Sequence, residues 1–218
     1  MEIAGFPVAE TAFAHAGVEL SLYGVADLER FVDRDRLLRD EAPPEPPYWA
    51  HLWIGARALA RFIAEGDDLS GLRVLDLGCG LGLPGLVAAA RGAEVWFADR
   101  EAAPLDFVRA SAKRNRLERR IRLRLLDFTR ESLDADFDVI LGAEVVYDPA
   151  SYLPLADFID RHLRPDGLVH VTDAFRADAE RFFGDLERRG FAGARRPWRE
   201  WEDGRPHGLF LWTFRRSG

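Results

Sequence analysis

Hydrophobic and polar positions change rhythm twice along the chain. Residues 18–25, VELSLYGV, alternate apolar and polar, the two-residue period of a half-buried strand. Residues 27–38, DLERFVDRDRLL, carry Leu28, Phe31, Val32 and Leu37 at helical spacing. Residues 41–49, EAPPEPPYW, then hold four prolines, which forbid helix and favour an extended connector. Beyond the connector, short continuous apolar runs alternate with longer amphipathic stretches. The runs at 72–77, 93–99, 121–127, 137–144 and 167–173 read as strands. The stretches at 53–65, 83–91, 104–117, 152–163 and 178–190 read as helices, with Pro104 at a first helical position. Two more strands are expected around FAGARRPW and GLFLWTFRR, with the polar stretch 198–208 between them as a loop or hairpin tip.

Continuous apolar strands separated by helices predict an α/β fold, a parallel sheet covered on both faces. The close last pair predicts an antiparallel edge. Residues 1–48 read as a small N-terminal cap and connector, too short to fold alone. Residues 49–218 read as one domain.

Composition narrows the classes. The chain has 218 residues, 48% of them hydrophobic and 31% charged, as expected of a globular domain. A net charge of -7 argues against broad attraction to nucleic acid. The one cysteine, Cys79, permits no internal disulfide, and five scattered histidines lack zinc spacing, so no metal is expected. No secretory signal and no apolar run of about 20 residues is found, which reads as a cytoplasmic protein without a membrane partner.

The chemistry concentrates after the first apolar strand, in VLDLGCGLG. Glycines there let the backbone approach a ligand, and the next helix offers free N–H groups to an anionic one. A dinucleotide fingerprint starting at Gly78 requires glycine at 83, where Leu83 stands. The pattern present is Asp76, Gly78, Gly80 and Gly82 at alternate positions. Asp99 ends the next strand, where a carboxylate accepts both ribose hydroxyls, a geometry shared by nicotinamide and S-adenosylmethionine sites. Asp127 and Phe128 follow the third strand, suited to an adenine amino group and ring; for Phe128, core packing is an equal alternative.

This glycine pattern and the strand layout resemble the seven-β-strand methyltransferases that use S-adenosylmethionine. PPYWAHLWIGARALARF (46–62), LGCGLGLPG and GAEVVYDP (142–149) sharpen the likeness to methyltransferase family 16, mainly protein-lysine methyltransferases. The nearest likeness is to the enzymes that methylate the electron transfer flavoprotein β-subunit and their bacterial relatives. GLPG is also similar to an arginine-methylating branch. The resemblance implies a Rossmann-like class I methyltransferase: a seven-stranded, mostly parallel sheet with an antiparallel C-terminal strand, helices on both faces and a small N-terminal extension. It implies S-adenosylmethionine as cofactor and S-adenosylhomocysteine as product. Cofactor contacts would come from Trp53, Asp76, Gly78, Gly80, Gly82, Asp99, Asp127, Phe128 and Ala143. Glu144 and Tyr147 would be catalytic, Glu144 beside the sulfonium and incoming nitrogen, Tyr147 as an aromatic wall. The implied acceptor is lysine on a protein. Arginine, or a small nicotinamide-like amine, stays open. So does an NAD-dependent oxidoreductase, against the glycine spacing, and a non-catalytic binding module.

Four features are set aside. The eight basic residues of 109–124 read as a solvated face. Cys79 is a small residue that fits its turn. His51, between Trp49 and Trp53, is a weak general-base candidate. The polar 198–208 stretch is placed to touch substrate but need not.

Overall fold

The computed structural model describes residues 1–31, 47–173 and 179–217. The chain opens with three antiparallel strands, β1 (Glu2–Ile3), β2 (Phe6–His15) and β3 (Val18–Val25). A 3-10 turn, Leu28–Phe31, starts the expected helix of 27–38; its remainder lies outside the described residues. So does 41–46 of the expected extended connector, whose end is instead a 3-10 turn, Tyr48–Ala50.

The larger layer follows. It comprises α1 (Ile54–Glu65), β4 (Arg73–Leu77), α2 (Leu83–Ala90), β5 (Glu94–Asp99), α3 (Ala102–Arg114), β6 (Ile121–Leu125) and β7 (Phe137–Ala143). Then come α4 (Tyr152–His162), β8 (Leu163–Asp173), α5 (Ala179–Arg188), β9 (Phe191–Glu202) and β10 (Arg205–Arg216). The seven strands β4–β10 form one sheet in the order β6-β5-β4-β7-β8-β10-β9. β6, β5, β4, β7 and β8 are parallel; β10 runs antiparallel to β8, and β9 antiparallel to β10. Strand order reverses at β4, which has β5 on one side and β7 on the other. A ligand site is expected there, beyond the carboxyl ends of the strands.

Strand alternation splits the core in two. Val74, Val95, Val139 and Leu141 face α1, α2 and α3. Leu75, Trp96 and Ile140 face α4 and α5 on the other side. Both faces are thereby buried, as the continuous apolar runs require. Among the described residues no helix is long and apolar enough to cross a membrane.

Two parts depart from the pattern read above. No residue of β2 is fully buried, and FPVAETAFAH has no clean alternation to reveal a strand. Its sheet docks through β3: Asn115 accepts from Ser21 N at 2.9 Å and donates to Ser21 O at 2.7 Å, and Ser111 Oγ accepts from Tyr23 N at 3.0 Å. The free edge of β3 is thus satisfied by side chains of α3 and the residue after it. At the other end, 198–208 is a hairpin whose strands run almost to its tip. Only Asp203 and Gly204 turn, both with positive φ, as a two-residue hairpin turn needs. The polar residues here have partners on α1. Arg196 lies over the Phe62 ring at 4.9 Å, Glu200 Oε2 is 3.0 Å from Arg61 Nε, and Glu202 Oε1 is 4.0 Å from Arg57.

Candidate active site

The glycine cluster forms the turn leaving β4. Gly78, Gly80 and Gly82 have φ of 61°, 50° and 75°, in the left-handed region. Space adds to conformation. A Cβ at Gly80 would stand 3.2 Å from Trp49 O, and one at Gly82 only 2.6 Å from Val108. The turn is pressed between the segment before α1 and the body of α3.

Two strand-end carboxylates hold this turn. Asp99 Oδ2 accepts from Gly80 N at 3.0 Å, and Oδ1 from Glu101 N at 3.1 Å. Burial raises the Asp99 pKa against the pull of those hydrogen bonds. Asp76 lies beneath the turn, wholly buried, its Oδ2 accepting from Gly85 N at 2.9 Å. Gly85 is the third residue of α2, and no side chain at the N-cap, Gly82, caps that helix. Asp76 supplies the cap from another element, favoured by the positive end of the helix. Burial pushes the Asp76 carboxyl up to about 8, with the negative charge of Asp99 adding to it.

Asp127 stands two residues past β6, in a turn where Oδ1 accepts from Thr129 N (3.0 Å) and Thr129 Oγ1 (2.6 Å). The Thr129 hydroxyl, foremost, lowers its pKa. Phe128 is half-buried, edge-on to Phe158 with ring centroids 6.4 Å apart. Ala143 is the last residue of β7, half-buried at the sheet's end.

Glu144 follows it with φ 57°, its N–H donating to Thr172 O at 3.2 Å. Both carboxylate oxygens are sealed from water. A Cβ placed on Gly55 would fall 2.6 Å from Oε1 of Glu144 and 2.7 Å from Thr172 Oγ1. The carboxylate therefore lies under the first turn of α1. Tyr147, three residues on, is 45% exposed. Trp53 is the N-cap of α1, 37% exposed, and its indole N–H donates to Tyr48 O at 2.8 Å. Trp49 touches the glycine turn and Gly55 touches Glu144, so residues 49–55 bridge the ends of β4 and β7.

Sequence reasoning missed Gly55 and Gly85. Their signal was a glycine in the first turn of a helix, where it costs about 1 kcal/mol relative to alanine and so needs a reason. At Gly55 the space of a methyl group is filled by the Glu144 carboxylate and Thr172 Oγ1, and at Gly85 by the Phe97 ring and the Asp76 carboxylate. The features set aside are occupied structurally. In the basic run, Arg114 pairs with Glu10 at 3.0 Å, while Arg122 and Arg124 lie over the Trp96 ring. Cys79 is buried, and burial pushes its thiol well up. His51 Nε2 is 3.9 Å from Glu202 Oε1. Among the described residues no group of three or more His, Cys, Asp and Glu is placed to hold a metal.

The arrangement suits a ligand that brings positive charge and hydroxyls. Asp99, already accepting one N–H on each oxygen, keeps lone pairs for two vicinal hydroxyls. Burial has weakened the acidity of Asp76 and Asp99 together, and a nearby cation favours their ionised forms.

Residues 47–189 match the model of a family described as lysine methyltransferase. The chain belongs to that family. The match spans Trp53, the glycine turn, Asp99, Asp127 and the Glu144–Tyr147 segment. A protein N-lysine methyltransferase METTL21A from Danio rerio is 35% identical over 148 residues, 64% of this chain and 67% of the relative. An electron transfer flavoprotein beta subunit lysine methyltransferase from Xenopus laevis is 33% identical over 141 residues, 62% of this chain and 55% of the relative. The chain thus spans about two-thirds of the first relative and little more than half of the second. Among solved structures, N-methyltransferase NodS from Bradyrhizobium japonicum, in complex with S-adenosyl-L-homocysteine, superposes with a TM-score of 0.60 at 19% identity. The alignment covers 88% of this chain and 97% of that one. The class I methyltransferase fold and the family read from the motifs are borne out. The family makes the protein a methyltransferase.

Proposed function

We propose that the protein methylates the side-chain amine of lysine in a protein substrate. The observation that carries this reading is Tyr147, half-exposed at the carboxyl ends of the strands within the matched segment. An acceptor entering past Tyr147 comes from outside, as a side chain on a large partner does. The two similar enzymes, a protein N-lysine methyltransferase and an electron transfer flavoprotein beta subunit lysine methyltransferase, support a protein acceptor.

Bound S-adenosylmethionine supplies a methyl group already activated by its sulfonium. The chain has to bind, orient and desolvate. In this reading Asp99 receives the ribose hydroxyls, and Gly78, Gly80 and Gly82 bring backbone close to the methionine portion. Asp127 and Phe128 receive the adenine, while Trp53 and Ala143 flank the methyl end. Asp76 acts from beneath, by fixing the glycine turn to α2. Tyr147 strips water from the incoming side chain and faces it with a ring, and the ammonium gives its proton to solvent at the mouth before it attacks the methyl group. Desolvation also lowers the amine's reference pKa of about 10.4, raising the fraction present as free nucleophile. Alignment of amine and methyl group then supplies much of the acceleration.

Calorimetric titration with S-adenosylhomocysteine, with NADH in parallel, is the first test. Saturable binding of the homocysteine compound alone is expected. Binding of NADH alone, or of neither, overturns the reading. Incubation with methyl-labelled S-adenosylmethionine and a cell extract, followed by acid hydrolysis, should then yield labelled methyl-lysine in the protein fraction. Label in methyl-arginine, or in small molecules only, would replace the acceptor.

A further inference from the structure

The first turns of α1 and α2 share one feature. In each, a glycine sits where a side chain would strike a carboxylate from the end of a parallel strand. For α2 the pair is Gly85 and Asp76: a Cβ on Gly85 would fall 2.4 Å from the Phe97 ring and 2.7 Å from Asp76 Oδ2, the oxygen that accepts the Gly85 N–H. For α1 the pair is Gly55 and Glu144: a Cβ on Gly55 would fall 2.6 Å from Glu144 Oε1 and 2.7 Å from its Cγ. Neither helix has a side-chain cap at its N-cap, and neither has an acidic residue in its own first turn. A helix N-terminus favours a negative group, and here the negative group comes from the sheet. Glu144 is buried, with both carboxylate oxygens closed to water. An oxygen so closed is poorly placed to meet an amine arriving from solvent, and well placed to hold a helix.

We infer that Glu144 is a positioning residue: through Gly55 it anchors the first turn of α1 and so fixes Trp53, the N-cap of that helix, over the cofactor site. The inference rests on the reading of Trp53 as a cofactor contact. Gly55 is then required because only a residue without a side chain lets the turn settle onto the carboxylate. The left-handed backbone of Glu144 aims the side chain back under α1, while Tyr147 continues outward to the rim.

The test compares wild type, Glu144→Ala, Glu144→Gln, Gly55→Ala, Trp53→Ala and the double variant Gly55→Ala/Glu144→Ala. The readouts are calorimetric binding of S-adenosylhomocysteine, thermal midpoint and methyl transfer. Glu144→Ala should weaken binding of S-adenosylhomocysteine by about 2- to 30-fold, the range set by an anion at a helix terminus, and Gly55→Ala should weaken it in the same direction. Trp53→Ala should weaken it comparably. Gly55→Ala should lower the thermal midpoint in the wild-type background. In the Glu144→Ala background the same change should lower it less, since the contact with the carboxylate is gone and only Thr172 Oγ1, 2.7 Å from the added carbon, still opposes it. If Glu144→Ala binds S-adenosylhomocysteine as wild type does yet loses methyl transfer, Glu144 touches the reacting groups directly and the inference falls. If Gly55→Ala does not fold, Glu144→Gln decides: it keeps the packing and removes the charge, so weakened binding supports the anchor and unchanged binding overturns it. Failure of the wild type to bind S-adenosylhomocysteine at all would instead overturn the functional reading.

Discussion

Three buried residues tie stability to pH, two aspartates in one sense and a histidine in the other. Asp76 has a folded pKa of about 8 against an ordinary 3.8, so folding retains a proton the unfolded chain gives up. Its contribution is complete below about pH 4 and is lost as pH rises to about 8. Asp99 is raised by burial too and acts in the same direction. His170 faces the Phe62 ring, with Nδ1 3.0 Å from Thr213 Oγ1, and burial lowers its pKa from 6.5 to about 4. Its contribution is present above pH 6.5 and lost as pH falls toward 4. Asp76 and His170 oppose each other between pH 4 and 6.5; from 6.5 to 8 the change in Asp76 continues without that opposition. The thermal midpoint of the ligand-free protein should therefore fall from pH 6.5 to 8. Asp76→Asn keeps an oxygen for the Gly85 N–H and removes the charge. Its midpoint should lie closest to that of wild type near pH 4 and exceed it by about 4 °C or more at pH 8. Parallel midpoints across that range, measured by calorimetry or circular dichroism, would show that Asp76 does not titrate in this window.

At the scale of elements, what was legible followed from period and composition. Leu75 and Val74, or Ile140 and Val139, are apolar in succession because a strand inside a doubly covered sheet buries both faces. The glycine turn was legible because positive φ and close approach leave few other residues possible. What escaped depended on partners distant in sequence. The polar residues of β9 look like loop until Arg61, Phe62 and Arg57 of α1 are set beneath them. Gly55 and Gly85 look like weak helix positions until the carboxylates under them are seen. Asn115 looks like a residue ending a helix, yet it spans 94 positions to hold both backbone groups of Ser21. Asn115→Ala removes those two hydrogen bonds and leaves part-buried backbone groups of β3 unsatisfied. A loss of about 2 kcal/mol is expected, read as a lower midpoint of denaturant unfolding. Because the N-terminal sheet is held through β3, limited proteolysis should cut within β2 faster in the variant. Equal cutting rates would mean that apolar contacts, not Asn115, hold the sheet.

For the whole molecule, the exposed aromatics have a direction. Tyr48 precedes α1, Tyr147 follows β7, and Trp201 lies near the tip of the β9–β10 hairpin, 58% exposed. β10 last pairs with β8 at Phe210 opposite Asp173, the carboxyl end of β8. Residues 205–209 and the β9 residues paired with them therefore continue past the sheet on the ligand side, by roughly 15 Å at strand rise. Large exposed apolar side chains gathered on one face mark an interaction surface. A target lysine reaching the methyl group brings its own backbone to this rim, and Trp201 stands where flanking substrate surface would lie. Glu202, beside it, reaches toward His51 and Arg57, so the hairpin is held against the segment that carries Trp53. Removing the ring should cost contact with a large acceptor and nothing else. Trp201→Ala should raise KM for the labelled protein acceptor by about tenfold, the 1.4 kcal/mol expected of an aromatic contact that leaves water. Its kcat and its affinity for S-adenosylhomocysteine should stay at wild-type values, because no cofactor residue is touched. An unchanged KM for a protein acceptor would place substrate on the opposite side of the mouth, toward Tyr48.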